Sequence, residues 1–112
     1  MTKNNPSPDH LFLREGTTYR KVPLDEILFI EADGNYAHVQ TTDKRYAVKR
    51  SLATIAEKLT NPAFLRVSRG ILLNFNRITS LSFADGAVKI GDRELKMGKT
   101  YYPDIRGRMA SL

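Results

Sequence analysis

The sequence predicts a mainly β domain, elongated antiparallel β-sheets with one short helix packed on the sheet. Three observations carry that expectation. Short runs of strand-forming residues are broken by turn residues at intervals of about ten positions. Only one interior segment changes to a helical period. The chain has 112 residues and no cysteine, enough for a single core without disulfide or thiolate-metal support.

The elements follow in order. Residues 1–9 are polar, contain Pro6 and Pro8, and read as a flexible lead-in or linker, which leaves 10–112 as the domain. LFLRE at 11–15 meets TYRKV at 18–22 across Gly16 and Thr17, a hairpin spacing. Pro23 can start one helical turn over 23–26. ILFIEA at 27–32 opens with four apolar residues, as an inner strand covered on both faces would. Asp33, Gly34 and Asn35 have turn chemistry. The stretch 36–42 then alternates, and Asp43 with Lys44 turns the chain into RYAVK at 45–49.

The helical segment begins at Ser51, an N-cap residue ahead of Leu52, Ile55, Ala56 and Leu59. Thr60, Asn61 and Pro62 end it after about nine residues. From 64 to 84 the pattern mixes an irregular or single-turn stretch near 68–72 with a strand near 78–83. Two further short strands follow at 87–90 and 94–97, and the tail from Tyr101 can carry a short C-terminal helix with Pro103 early in it. The count is eight or so strands.

Composition narrows function. The formal charge is +6, and it is concentrated. Residues 44–77 hold eight of the eighteen Lys/Arg but one of the twelve Asp/Glu, Glu57, a local balance of +7. The remaining residues balance to −1. A basic block of this kind fits a polyanionic partner. The longest apolar run is four residues, so no segment spans a membrane, and the N-terminus lacks the apolar core of a signal peptide. A cytoplasmic protein is expected. Two histidines, His10 and His38, make no metal site by themselves. No motif brings a nucleophile, a base and an anion site together, so neither catalysis nor a cofactor is expected.

Two blocks of sequence carry a resemblance. ILFIEADGNYAHVQTTDKRYAVKRSLATIAEKL at 27–59 and FLRVSRGILLNFNRI at 64–78 resemble the LytTR family of bacterial DNA-binding domains. The family pattern runs I-x-Y/F-I-E-A-x-x-N-Y, then a strand pair and a short helix, then F-x-R-V-H-R-S-y-I-V-N-x-x-x-I. Here Ser68 stands where the family usually has His, Gly70 where it has Ser, and Gly98 with Lys99 where a Ser-Arg pair is common.

The resemblance implies a ten-strand β domain that lays loops onto double-stranded DNA, in successive major grooves and the minor groove between them. It implies transcription regulation as a response regulator of a two-component system, direct-repeat sites, and an upstream receiver or sensor in a longer protein or a partner. Carried onto this chain, Asn35, Arg69 and Lys99 would contact bases, and Lys49, Arg50, Ser51, Ser68 and Gly70 would contact the DNA backbone. Asn can bridge adenine edges and Arg can grip guanine. A Ser-capped helix start is a phosphate site. A regulatory protein-interaction module, or an RNA- or single-strand-binding β domain, stays open beside this reading.

Other residues have structural roles to fill. Glu31 should form a salt bridge or turn contact, His38 should pack near the surface, and Arg66 could pair with an acid on the sheet. Asn74 should bond backbone, and Phe29, Tyr36 and Tyr46 should be core or rim.

Overall fold

The apolar run that begins at Ile27 becomes the middle of a five-stranded sheet. In the computed structural model, which describes residues 9–112, β1 (His10–Glu15) and β2 (Thr18–Pro23) form a hairpin. A single 3-10 turn over Leu24–Glu26 leads into β3 (Ile27–Asp33), followed by β4 (Tyr36–Thr41), β5 (Arg45–Val48) and helix α1 (Leu52–Lys58). A second hairpin, β6 (Phe64–Ser68) and β7 (Ile71–Asn74), precedes the meander β8 (Ile78–Ser82), β9 (Ala87–Ile90) and β10 (Arg93–Lys96). A 3-10 turn at Lys99–Tyr101 runs into α2 (Tyr102–Arg108), the expected C-terminal helix.

The main sheet has the order β5-β4-β3-β7-β6, and every neighbouring pair is antiparallel. One face packs against α1 and the β1–β2 hairpin, with Ile27, Ile30, Val39 and Leu72 meeting Leu13, Val22, Leu52 and Ile55. The other face packs against the three-stranded sheet and α2, where Phe29, Leu73 and Val67 meet Val88, Ile90 and Ile105. Ile27 and Ile30 share a face although they are three residues apart. The register shift between Ile27 and Phe29 absorbs the odd residue. Full burial of each such side chain contributes about 1.5–3 kcal/mol. Two packed layers on one sheet give a flattened body of 44 × 39 × 23 Å.

α1 starts as its sequence dictates. Ser51 Oγ accepts the Thr54 N–H at 3.1 Å and caps the first turn. The helix has seven residues, shorter than the nine expected, because Leu59 already leaves the helical region at φ −92°, ψ 74°.

One expectation needs correction. The stretch 68–72 is neither irregular nor a helical turn. It is a tight hairpin in which Ser68 pairs with Ile71 and Arg69 and Gly70 make the turn. ILLN is too short and too uniformly apolar to display a period, and its pairing on both sides makes it a strand. This hairpin helps bring the count to ten strands among the described residues. At the last residue of the expected lead-in, the Asp9 carbonyl accepts the Leu24 N–H at 2.9 Å. Residues 1–8 of the lead-in lie outside the described residues.

Asn74 ties the sheet together at depth, as its expected backbone role required. It is 2% exposed, and its amide donates to the carbonyls of Ile27 at 2.9 Å and Leu24 at 3.3 Å. Its Oδ1 accepts the Asn76 N–H at 3.1 Å. One side chain therefore joins the start of β3 to the end of β7. Asn74→Ala should lower the unfolding free energy by about 3 kcal/mol, because buried carbonyls lose their donor. Urea denaturation reads this directly, and a loss below about 1 kcal/mol would show the carbonyls resatisfied by solvent.

Candidate nucleic-acid interface

Antiparallel pairing decides which loops meet. β3, β5 and β6 all end at one end of the main sheet, and β4 and β7 both start there. That end therefore gathers the 33–36 turn, residues 49–51 and the 68–70 turn. A fourth loop joins them: the Gly98 N–H donates to the Val67 carbonyl at 2.8 Å, which pins the Lys99 turn beside the end of β6. Across the sheet the order is Lys49 and Arg50, then Asn35, then Arg69, then Lys99. All eight site residues expected from the sequence are thus brought to one end.

Local chemistry shapes each loop. Gly34 has φ +61° as the first of two turn residues, and Asn35 follows with ordinary negative φ. That is a two-residue hairpin turn that admits Gly first, and it points Asn35 outward into solvent. Asp33 does not spoil the face, since its carboxylate lies 2.9 Å from His38 Nε2 on the neighbouring strand. His38 is therefore a hydrogen-bonded, half-buried partner of this turn. In the 68–70 turn, Ser68 Oγ accepts the Gly70 N–H at 3.3 Å and Arg66 donates to the Arg69 carbonyl at 3.2 Å. Arg66 accordingly braces the turn and pairs with no acid, while its Nε is buried and has no partner among the described residues. Gly98 packs tightly: a Cβ there would come within 3.2 Å of the Tyr101 ring and 3.7 Å of the Ser68 Cα.

The concentrated charge now sorts itself. Lys44 pairs with Glu15 at 2.5 Å, Arg45 reaches Glu31 at 3.4 Å, and Arg77 Nε donates to the Asp25 carbonyl at 2.7 Å. Glu31 also lies 3.6 Å from Arg93, the structural ion pair expected of it. In contrast, the exposed side chains of Lys49, Arg50, Arg69 and Lys99 have no hydrogen-bond or ion-pair partner among the described residues. Of the eight cations in the block, Lys44, Arg45, Arg66 and Arg77 are internal braces, Lys49, Arg50 and Arg69 are free at one sheet end beside Lys99, and Lys58 is exposed at the end of α1. Phe29 and Tyr46 are buried and Tyr36 is on the rim.

Perturbed titration lies elsewhere. The Glu15 carboxyl sits below its ordinary value because Lys44, and after it Arg20, hydrogen-bond its charged form, and Arg20 is raised in return. Asp9 is lowered by its hydrogen bond with His10. Such carboxylates favour the fold above their ordinary pKa and lose that contribution as pH falls through the lowered one. These groups are exposed, so solvent screens the effect.

The sequence matches the LytTr DNA-binding domain family over residues 17–110. The chain belongs to that family. It is 33% identical over 116 residues to the heme-containing CO-sensing transcriptional regulator RcoM 2 of Paraburkholderia xenovorans LB400, and 30% identical over 112 residues to RcoM 1 of the same strain. Each alignment covers 96% of this chain, which spans 40% of the length of these relatives. A Bacillus cereus chain assigned as the LytTr DNA-binding domain of a methyl-accepting/DNA response regulator shares the fold, with a TM-score of 0.77 at 17% identity. The likeness covers 89% of this chain and 95% of that one.

Within this LytTr domain the β6–β7 hairpin is what sequence reasoning read poorly. The Arg-Gly pair between Ser68 and the ILL run was the available signal, since short runs flanking a Gly-containing pair suggest a hairpin. Glycine conformation provides a test of the 33–36 turn. Gly34→Ala should cost about 1–2 kcal/mol, since an L residue at that φ clashes with its own backbone. Gly107→Ala, in α2 with nothing within 4 Å of the new Cβ, should be neutral or stabilising by up to about 1 kcal/mol. Thermal melts of both variants should therefore move in opposite directions from the parent, or at least only Gly34→Ala should fall.

Proposed function

We propose that this chain binds double-stranded DNA sequence-specifically in bacterial transcription regulation, and that the loop end of the main sheet is the binding surface. The carrying observation is the row of unpaired cations and Asn35 along that end, in a chain of a DNA-binding domain family. The row from β5 to β6 covers four strand spacings, about 19 Å. That exceeds the roughly 12 Å width of one major groove. Such a row engages a groove, the neighbouring phosphate ridge and the next groove, so successive major and minor grooves are contacted together.

Roles divide by reach and rigidity. Asn35, Arg69 and Lys99 stand at the tips of tight turns and read base edges. Arg69 is the best placed, because Arg66 fixes the carbonyl of its turn. Lys99 offers a point charge without a planar fork, and so discriminates less than Arg would. Lys49 and Arg50 grip phosphates next to the start of α1. The Ser51 hydroxyl is engaged with Thr54, so Ser51 contributes by holding that helix start in place. Ser68 and Gly70 bring backbone close to the DNA backbone beside Arg69. Two copies lie head to tail on a direct repeat, and an upstream receiver or sensor, in this chain's longer parent or in a partner, sets when they bind. The cytoplasm is the compartment where such a partner is met.

The test separates reading from gripping. If about five of the chain's basic side chains meet phosphates, Lys49 and Arg50 among them, log K should fall with log salt at a slope of about −4 to −5. Arg69→Ala should cost about 1–3 kcal/mol at a selected site and relax preference at one or two positions. Lys49→Ala or Arg50→Ala should weaken selected and scrambled duplexes alike and flatten the slope by about one. Binding titrations of each variant to both duplexes over a salt series provide the check. A slope near zero, or equal losses for Arg69→Ala on both duplexes, overturns the assignment.

A further inference from the structure

We propose that an open groove on the flank of the domain docks an acidic segment of another protein, one alternating carboxylates with large apolar side chains. The groove runs between β1 and the β5 side of the main sheet, and α1 borders it. Its floor is aliphatic: Leu11, Leu13, Val39, Val48 and Ile55. Along it stand Phe12, Tyr19 and Tyr36, exposed by 59%, 61% and 46%. Apart from Leu112 these are the exposed large hydrophobic residues among the described ones. Three such rings gathered on one groove, from three different strands, mark an interaction surface.

The rim selects the occupant. Arg14, Lys49, Arg50 and Lys58 line the groove, and no Asp or Glu does. Carboxylates complement that rim, and aliphatic or aromatic anchors complement the floor. An extended segment suits the backbone, because β5 is the last strand of the sheet and β4 is its one ladder partner. Its outer edge can accept a further strand through main-chain hydrogen bonds. The hairpin that forms one wall is tied to the start of β5, since Glu15 pairs with Lys44 at 2.5 Å, and Arg20 of the same hairpin pairs with Glu15 at 2.8 Å. A single-stranded nucleic acid fits less well. Bases stack on a platform of flat rings, whereas here the three rings stand along an aliphatic floor, and Phe12 already packs edge-to-face with His10 at 5.5 Å.

This proposal stands without the DNA reading, because its test contains no regulator site. The isotope-labelled 112-residue chain is titrated with a twelve-residue peptide alternating Glu with Leu and Phe. The same peptide with Lys in place of Glu, and a twelve-nucleotide thymidine single strand, are the comparisons. The Glu peptide should shift amides of β1, β5 and the start of α1 saturably, and the Lys peptide should not. Phe12→Ser combined with Tyr19→Ser should weaken the Glu peptide about tenfold or more, and Arg14→Glu should weaken it comparably. All three side chains are exposed, so the fold is retained. No saturable shift, shifts outside the groove, equal binding of the Lys peptide, or tighter binding of the thymidine strand would each overturn it.

Discussion

The structure depends on one strand being buried on both faces. β3 carries Ile27 and Ile30 into one core and Phe29 into the other, and each of these side chains is fully buried. With these three side chains shut off from solvent in two different layers, its register cannot slip without placing core residues in the wrong layer. Both hairpins that flank it inherit that register through antiparallel ladders. The ends of five strands are therefore fixed to one another within a strand spacing, and four loops arrive at the same end of the sheet. Asn74 reinforces the same arrangement from the opposite end, by bonding the carbonyls at the start of β3.

Charge follows the same geometry. A sequence block of eight basic residues suggests a uniformly positive surface, yet the fold pairs several of them internally. Lys44 and Arg45 lie at the start of β5, away from the loop end, and find Glu15 and Glu31. Lys49 and Arg50, after the end of the same strand, find nothing among the described residues. A strand of four residues thus separates structural cations from available ones. The proposed division between base reading and phosphate gripping rests on that separation and on how firmly each turn is braced.

Much of this was legible in the sequence. The β1–β2 hairpin, β3, the 33–36 turn, β4, β5 and the capped helix follow from local period and turn chemistry, which act over few residues. Glu31 was legible as structural because no catalytic partner accompanies it, and Asn74 because a short amide side chain readily bonds nearby backbone. The β6–β7 hairpin was not, since β7 is apolar at nearly every position and owes its conformation to neighbours on both sides. The bracing role of Arg66 was equally hidden: a strand Arg suggests an acid across the ladder, and only the turn geometry supplies a carbonyl instead. The gathering of Phe12, Tyr19 and Tyr36 depends on how the first hairpin docks, which no local pattern encodes. The convergence of the site residues came from resemblance, and the strand order gives it a physical cause.

The most direct test of the account is a map of backbone amide signals as a selected duplex is added to the labelled chain. The account predicts that residues 33–36, 49–51, 68–70 and 97–99 change together at one protein-to-DNA ratio. It also predicts that residues 43–44 and 25–26, at the opposite end of the sheet, stay fixed. Changes centred on that opposite end, or on the outer face of α1 with the four loops silent, would contradict it.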